Sequence, residues 1–508
     1  MRTKKAMLNS VVNMSTYVVN MLLNFVITSL FLRKLGNDLY GLNGLYSSIL
    51  SYLSLMELGI GVAIVFSLYK PFAEDNKEKV KGYLDYYGKF YRTIGAIVLV
   101  VGICMIPFLQ FFIKGEINLL DAKLYFFLIL INTAMSYMFS HKLCIINVAQ
   151  EGYIVSSAVT ASKLVISLLQ VIMFSFYPSF YIYIIIQIVV NLIYYISLNI
   201  YINKKYAWLK DVKGRIDNIE KRELLKNIKS LFMHKIGSIL VFSTDNLVIS
   251  GFLNLTVVGI YNSYNLVISG IQGVISSAIA GITPSIGNLL AEDKMDAAYS
   301  VHKKLFFLSF WIASFVGISL VNTLKQFVIL WVGPKQVLDT FTIILIIINF
   351  YITLMRSSTE RFQEASGLYY YDRYAPLIEG GINLVASIFF VKLIGLSGVV
   401  LGTVISNIAV ICWVKPKIVY KYLFKKPLKE YFNMYFKGLL IALIPLFITY
   451  NLTSSIKLAN SIPMFILNCF INIAVINAFY LLIFWRSEEF KYFKDLVLGM
   501  LKKKFKRV

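Results

Sequence analysis

Six ionisable side chains stand inside long apolar runs: Glu57, Lys163, Lys235, Asp245, Arg356 and Glu379. A charge at membrane depth is costly and usually faces a cavity or a partner, so each is a candidate for substrate binding. Lys163 lies about eleven residues into its run, and Glu57 is similarly deep, both beyond easy snorkelling. Lys235 is near enough to one end to snorkel, whereas Asp245 lies in the far half of the same run and needs a donor. Arg356 is followed by Glu360 and Glu364 at i+4 steps, so local ion pairing competes with ligand binding. Glu379 enters its run from the inner end. Arg and Lys in a lumen supply the charge-assisted hydrogen bonds that an oxyanion loses on leaving water. The set therefore suits a substrate carrying phosphate, with acidic neighbours that hold the cations ready and weaken the grip enough for release.

Catalytic chemistry is not suggested. There is no Ser/His/Asp or paired-carboxylate constellation, and the sequence reads as a non-enzyme without cofactor. No GxxxxGK[ST] loop occurs, so an ATP-driven pump is not indicated. His141, His234 and His302 are scattered at or near predicted helix ends, where a solvated or interfacial role outweighs metal binding. Cys104, Cys144, Cys412 and Cys469 lie in apolar runs without CxxC spacing, which argues for packing and against zinc or a disulfide framework.

The elements that must position these charges follow from composition. Of 508 residues, 58% are hydrophobic and only 15% charged, and the mean hydropathy is +0.71. That is more apolar surface than a soluble core can hide, and an all-α polytopic membrane protein is expected. Windows of about 20 residues give about fourteen spans: 8–32, 40–69, 86–113, 122–148, 152–177, 179–203, 229–253, 257–289, 304–332, 337–366, 374–394, 397–420, 433–455 and 460–485. The basic N-terminus leads into a run with no small-residue cleavage site, and it is read as a retained first helix. The net charge of +24 lies in short pieces between apolar runs, which fits positive inner loops and excludes nucleic acid as a partner. With both termini inside, Lys70 to Arg92, Lys204 to Lys229, Lys415 to Lys429 and the tail from Arg486 all fall on the cytoplasmic side, while the opposite loops are nearly bare.

A repeat organises the spans. Ala73-Glu74-Asp75 recurs as Ala291-Glu292-Asp293, a shift of 218 that also aligns Gly41 with Gly259, Tyr46 with Tyr264, Gly115 with Gly333 and Asp121 with Asp339. Helix one falls on helix seven, so the copies share an orientation and should be parallel repeats about an axis along the membrane normal. The tripeptide itself sits in equivalent inner loops, as a register mark of duplication more than a binding site. The expected organisation is an N-lobe at 1–203, a basic linker at 204–228, a C-lobe at 229–422, two further helices at 423–486 and a basic cytoplasmic tail at 487–508. Within the linker, KRELLKNIKS (Lys221 to Ser230) has the spacing of a short amphipathic surface helix.

Three stretches carry a resemblance. FLRKLGNDLYGLNGLYSSILSYLSLMELGIGVAI resembles the opening of bacterial polysaccharide transporters, the O-antigen and teichoic-acid flippase-like branch of the multidrug/oligosaccharidyl-lipid/polysaccharide superfamily. STDNLVISGFLNLTVVGIYNSYNLV resembles their seventh and eighth helices, with Asp245 and Gly259 to Tyr261, and IGLSGVVLGTVISN resembles the entry to their twelfth. The resemblance implies two six-helix lobes packed as a V, two extra C-terminal helices and alternating access. It also implies a substrate, a polyprenyl-pyrophosphate-linked oligosaccharide moved between leaflets of the cytoplasmic membrane, with membrane lipids and the pathway's glycosyltransferases and polymerase as partners. Between Val11 and Leu32 there are Asn13, Asn20, Asn24 and small hydroxyls but no arginine, a departure from similar peptidoglycan-precursor flippases. The main rival is a drug/cation antiporter of the same superfamily using Glu57 or Asp245. The presence of Lys163 and Arg356 ranks that second.

Overall fold

A computed structural model describes residues 2–54, 60–114, 117–222, 224, 243–280, 282–455 and 460–505. Helix α1, Arg2–Leu53, bends at Gly36, whose φ is +83°, and is followed by α2, Ile60–Ala73, and α3, Lys77–Met105. Next come α4, Leu119–Phe139; α5, Cys144–Val148; α6, Gly152–Phe176; and α7, Phe180–Lys205. After the linker stand α8, Thr244–Phe252; α9, Leu255–Ala280; and α10, Thr283–Ala291. Helices α11, Met295–Val332; α12, Thr340–Met355; and α13, Ser357–Ser366 follow. They lead to α14, Ala375–Ile394; α15, Leu396–Ser406; and α16, Cys412–Ile418. The chain closes with α17, Leu428–Ser455; α18, Ile462–Phe484; and α19, Glu488–Phe505. No strand occurs among the described residues.

Eleven helices among the described residues are long and apolar enough to cross a membrane. The expectation was about fourteen. The first expected segment and the start of the second join in α1 across the Gly36 bend while the second's end lies in α2, 229–253 is described only from Ser243, and 257–289 appears as α9 and α10. The amphipathic stretch expected at Lys221 to Ser230 lies almost entirely outside the described residues.

Two units form. One comprises Met1–Val274 and Pro376–Val399, the other Ile275–Ala375 and Val400–Val508. In the first, the second half of α1 crosses the start of α9 through residues that the 218 shift pairs. A Cβ on Gly41 would lie 1.9 Å from the carbonyl oxygen of Leu255, and one on Gly259 would lie 2.5 Å from that of Asn37. Asn37 and Leu255 are themselves 218 apart, as are Asp38 and Thr256, which hydrogen bond to each other across the crossing. Each copy thus presents the same glycine to the same carbonyl of the other. The contact is backbone on backbone, and only a residue without a side chain permits it.

Below this crossing, Tyr46 is fully buried and donates to the Ala122 carbonyl at 2.6 Å, while Phe31 packs edge-on to Phe174, Phe180 and Tyr183. The linker after α7 folds back on α3. The Arg215 amide donates to the Glu78 carbonyl at 3.1 Å, and Lys79 pairs with Glu220 at 2.7 Å. That hydrogen bond to the ammonium holds the Glu220 carboxyl below its usual range.

The duplicated tripeptide ends a helix in both copies. Asp75 and Asp293 have φ of 51° and 55°, the left-handed conformation that Asp tolerates at a helix C-terminus. In one copy the Asn76 amide returns to Pro71 at 2.9 Å and that of Asp75 to Phe72 at 3.4 Å; in the other Lys294 returns to Leu289 at 3.1 Å and Asp293 to Leu290 at 3.2 Å. These are paired reversals of one geometry, and the carboxylates stay in solvent beside Lys77 and Lys294. The repeat is therefore written in backbone as well as in letters.

Filling the α1/α9 crossing is expected to push the helices apart. Gly41→Leu or Gly259→Leu should cost about 1–3 kcal/mol, read as a lowered unfolding midpoint of purified protein. Gly287→Ala, with open space around the position, should be neutral or slightly stabilising. Equal effects at all three sites would contradict the account.

Candidate functional site

The first unit carries a polar seam between α1 and α6. Asn9 accepts from the Tyr153 amide at 2.7 Å, Asn13 accepts from the Ser156 hydroxyl at 2.7 Å, and Asn20 donates to Thr160 at 3.2 Å. These asparagines recur at one face of α1, and Tyr153, Ser156 and Thr160 recur at one face of α6. Lys163, half-buried near the middle of α6, continues that face one turn on. It makes no hydrogen bond or ion pair among the described residues.

Asp245 sits in the first turn of α8, 7% exposed, and receives its donor: the Tyr261 hydroxyl, at 2.7 Å from Oδ2. Around it Tyr52 shares a hydrogen bond with Thr244 at 2.6 Å, and Asn246 donates to Ser48 at 3.1 Å. Asp245 is thus built into the junction of α1, α8 and α9. Glu379 is buried in the second turn of α14, within the same unit. Lys163 pairs with neither acid. Glu57, Lys235 and His234 lie outside the described residues.

The second unit places Arg356 where α12 gives way to α13. Its Nε lies 3.0 Å from Glu360, its Nη1 donates to Asn407 at 2.6 Å, and Asn407 in turn donates to Asn349 at 2.9 Å. Lys415 approaches the same Glu360 oxygen at 2.8 Å. Two cations therefore share one carboxylate, leaving an excess of positive charge. Glu364, aligned with Arg356 in the sequence, instead pairs with Arg361 at 2.7 Å. Lys415 escaped the sequence reading because it reads as an ordinary inner-loop cation; only the fold returns it to α13.

Arg356 also lines a cavity of about 540 Å³ between α11, α12 and α17. The walls are almost wholly apolar, with Gly317, Ile347, Trp413, Phe436 and Leu446 among them, and Tyr351 and Tyr435 are near the arginine end. Between Ile344 and Arg356 the helix rises about 18 Å. The cavity is a long apolar slot with one guanidinium in its lining.

Two further features depart from or add to the sequence reading. His302 was expected to be solvated or interfacial, but it is fully buried, with ring centroids 5.2–5.5 Å from Phe362, Tyr420 and Phe424, and its nitrogens form no hydrogen bond among the described residues. The cause is that α11 begins at Met295, which sets His302 about two turns inside the helix. The last helices are fastened by amides: Asn322 donates to Asn472 at 2.7 Å and to Thr449 at 2.9 Å, and Asn468 donates to Gln326 at 3.3 Å. Asn468 and Asn472 at i+4 in an apolar segment were the available signal.

With the fold and these clusters described, comparison with known proteins decides the family. A family model described as polysaccharide biosynthesis protein matches residues 7–290, more than half of the chain. The chain belongs to the polysaccharide biosynthesis protein family. No curated protein sequence matches it significantly. Its fold is similar to that of the lipid II flippase MurJ in an inward closed conformation, with TM-score 0.69 at 16% identity over 93% of this chain and 99% of that one. An inward-facing multidrug resistance MATE transporter of the MOP superfamily matches with TM-score 0.64 at 14% identity, over 80% of this chain and 98% of that one. A MOP superfamily transporter from Pyrococcus furiosus matches with TM-score 0.55 at 14% identity, over 84% and 97%. This family member is therefore a multi-pass membrane protein with a MOP transporter fold.

Removing the shared carboxylate with Glu360→Gln is expected to leave Arg356 and Lys415 facing each other. A loss of about 3 kcal/mol is expected, since breaking a buried charge cluster strands the remaining charges. Denaturant or thermal unfolding of purified protein measures it. Glu364→Gln, on the neighbouring pair, should cost well under half as much.

Proposed function

We propose that this protein flips polyprenyl-pyrophosphate-linked oligosaccharide units across the cytoplasmic membrane by alternating access, for surface polysaccharide synthesis. In this reading both termini are cytoplasmic, and the pathway's glycosyltransferases and polymerase are the functional neighbours. The observation that carries the reading is the slot in the second unit, apolar along its length and with Arg356 in its lining. A lipid-linked substrate has the matching chemistry: a hydrocarbon chain joined to a phosphate. Lys163, without an ion pair among the described residues, supports it with a second cation at membrane depth. Glu360 and Lys415 keep the guanidinium poised, so an arriving phosphate competes for a charge already in place. Lys163, Arg356, Glu57, Lys235, Asp245 and Glu379 remain the proposed substrate-contacting residues.

A drug/cation antiporter would use the buried carboxylate of Asp245, and that residue separates the two readings. Proteoliposomes loaded with a fluorescent lipid-linked oligosaccharide report movement from a protected to an accessible leaflet. Lys163→Gln and Arg356→Gln should each slow this movement more than tenfold while the protein stays folded, since Glu360 keeps Lys415 as a partner. Gly317→Leu, whose new side chain meets only ordinary contact 3.8 Å from Ile347, should fill the slot and slow long-chain substrates more than short-chain ones. Full activity of both Gln variants would sink the flippase reading, and organic-cation export lost in Asp245→Asn would favour the rival.

A further inference from the structure

A second polar site lies in the first unit, away from the residues discussed above. Lys81 and Asp85 of α3, His141 and Lys142 of the turn between α4 and α5, Asn203 of α7 and Lys210 of the linker enclose a pocket of about 180 Å³. Three ammonium groups converge on it. The one carboxylate, Asp85, is engaged by Lys81, whose side chain is 22% exposed, and Lys142 is held to Asn203 at 3.1 Å. Three ammonium groups against one carboxylate leave the lining with two positive charges in excess. Like charges gathered in a half-buried hollow repel one another, and an anion seated among them would relieve that repulsion.

The hollow is also built, not incidental. The linker that supplies Lys210 is docked by the Arg215 to Glu78 hydrogen bond and the Lys79 to Glu220 ion pair, so the lysine arrives from a fixed direction. Gly88 brings its backbone against the His141 ring, where a Cβ would lie 2.9 Å away. From these observations we propose that the pocket binds a phosphate group and that the bound phosphate fastens the linker to α3 and α7. Lysines suit such a ligand as point charges, and basic pockets between membrane helices are characteristic seats for lipid headgroups. The volume accommodates a phosphate with a few waters and excludes a large polyanion. The ligand's source is either the headgroup of an anionic phospholipid or inorganic phosphate. This proposal is independent of the flippase reading, because none of its residues lines the slot.

The test uses the full-length purified protein, delipidated in detergent, with thermal unfolding as the readout. Three additions are compared: phosphatidic acid, phosphatidylcholine and inorganic phosphate. Phosphatidic acid should raise the midpoint with a saturable dose dependence, and phosphatidylcholine should not. If inorganic phosphate reproduces the rise, the free anion suffices as ligand; if only phosphatidic acid does, the lipid is the source. Either result supports the site, provided that Lys142→Gln and Lys210→Gln together weaken the half-maximal concentration at least tenfold. Lys417→Gln, which removes a comparable charge in the second unit, should leave it unchanged. Gln variants relieve repulsion and are expected to fold. An unchanged response in the double variant, or no stabilisation of the wild type by either phosphate compound, would overturn the proposal.

Discussion

Inside a bilayer a polar group without a partner has no water to turn to, and that constraint shapes every part of this protein. The helices satisfy their own backbones. Their side-chain amides then find partners on neighbouring helices, as Asn9, Asn13 and Asn20 do on the backbone and hydroxyls of α6, and as Asn468 and Asn472 do on the amides of α11. Two of the departures from regular helix lie beside charge or glycine. Arg356 stands at the step from α12 to α13, and the Gly36 bend precedes the α1/α9 crossing.

Seen through that constraint, the embedded charges differ in how they are satisfied. Asp245 has Tyr261, and Arg356 has Glu360 and Asn407, so both are settled in the resting protein. Among the described residues Lys163 has neither hydrogen bond nor ion pair, and an ammonium at membrane depth is costly without a partner. The slot below Arg356 adds an apolar surface of chain-like length. Under the proposed function, each of these features matches one of the two natures of a lipid-linked glycan.

The repeat gains a physical meaning from the first unit. Gly41 and Gly259 were a pair of matching letters, and Asp75 and Asp293 another. The glycines turn out to touch, each lying over the carbonyl that its counterpart's copy provides, and the aspartates turn out to share one left-handed helix ending. The shared positions are those where backbone geometry leaves little choice.

The sequence by itself determined what depends on local chemistry. Apolar runs of bilayer length dictate membrane helices, and the same runs make each embedded charge visible. The i+4 step from Arg356 to Glu360 foretold their pairing, and Asp245's need of a donor was legible from its depth. Only the tertiary structure decided which distant groups would meet. Lys415 joins Glu360 from 55 residues away, Tyr261 finds Asp245, and His302 disappears into an aromatic box although it reads as a helix-end residue. The slot and the lysine-lined hollow are likewise spaces between helices. No single segment encodes a space, because its walls come from segments far apart in sequence that helix packing alone brings into register.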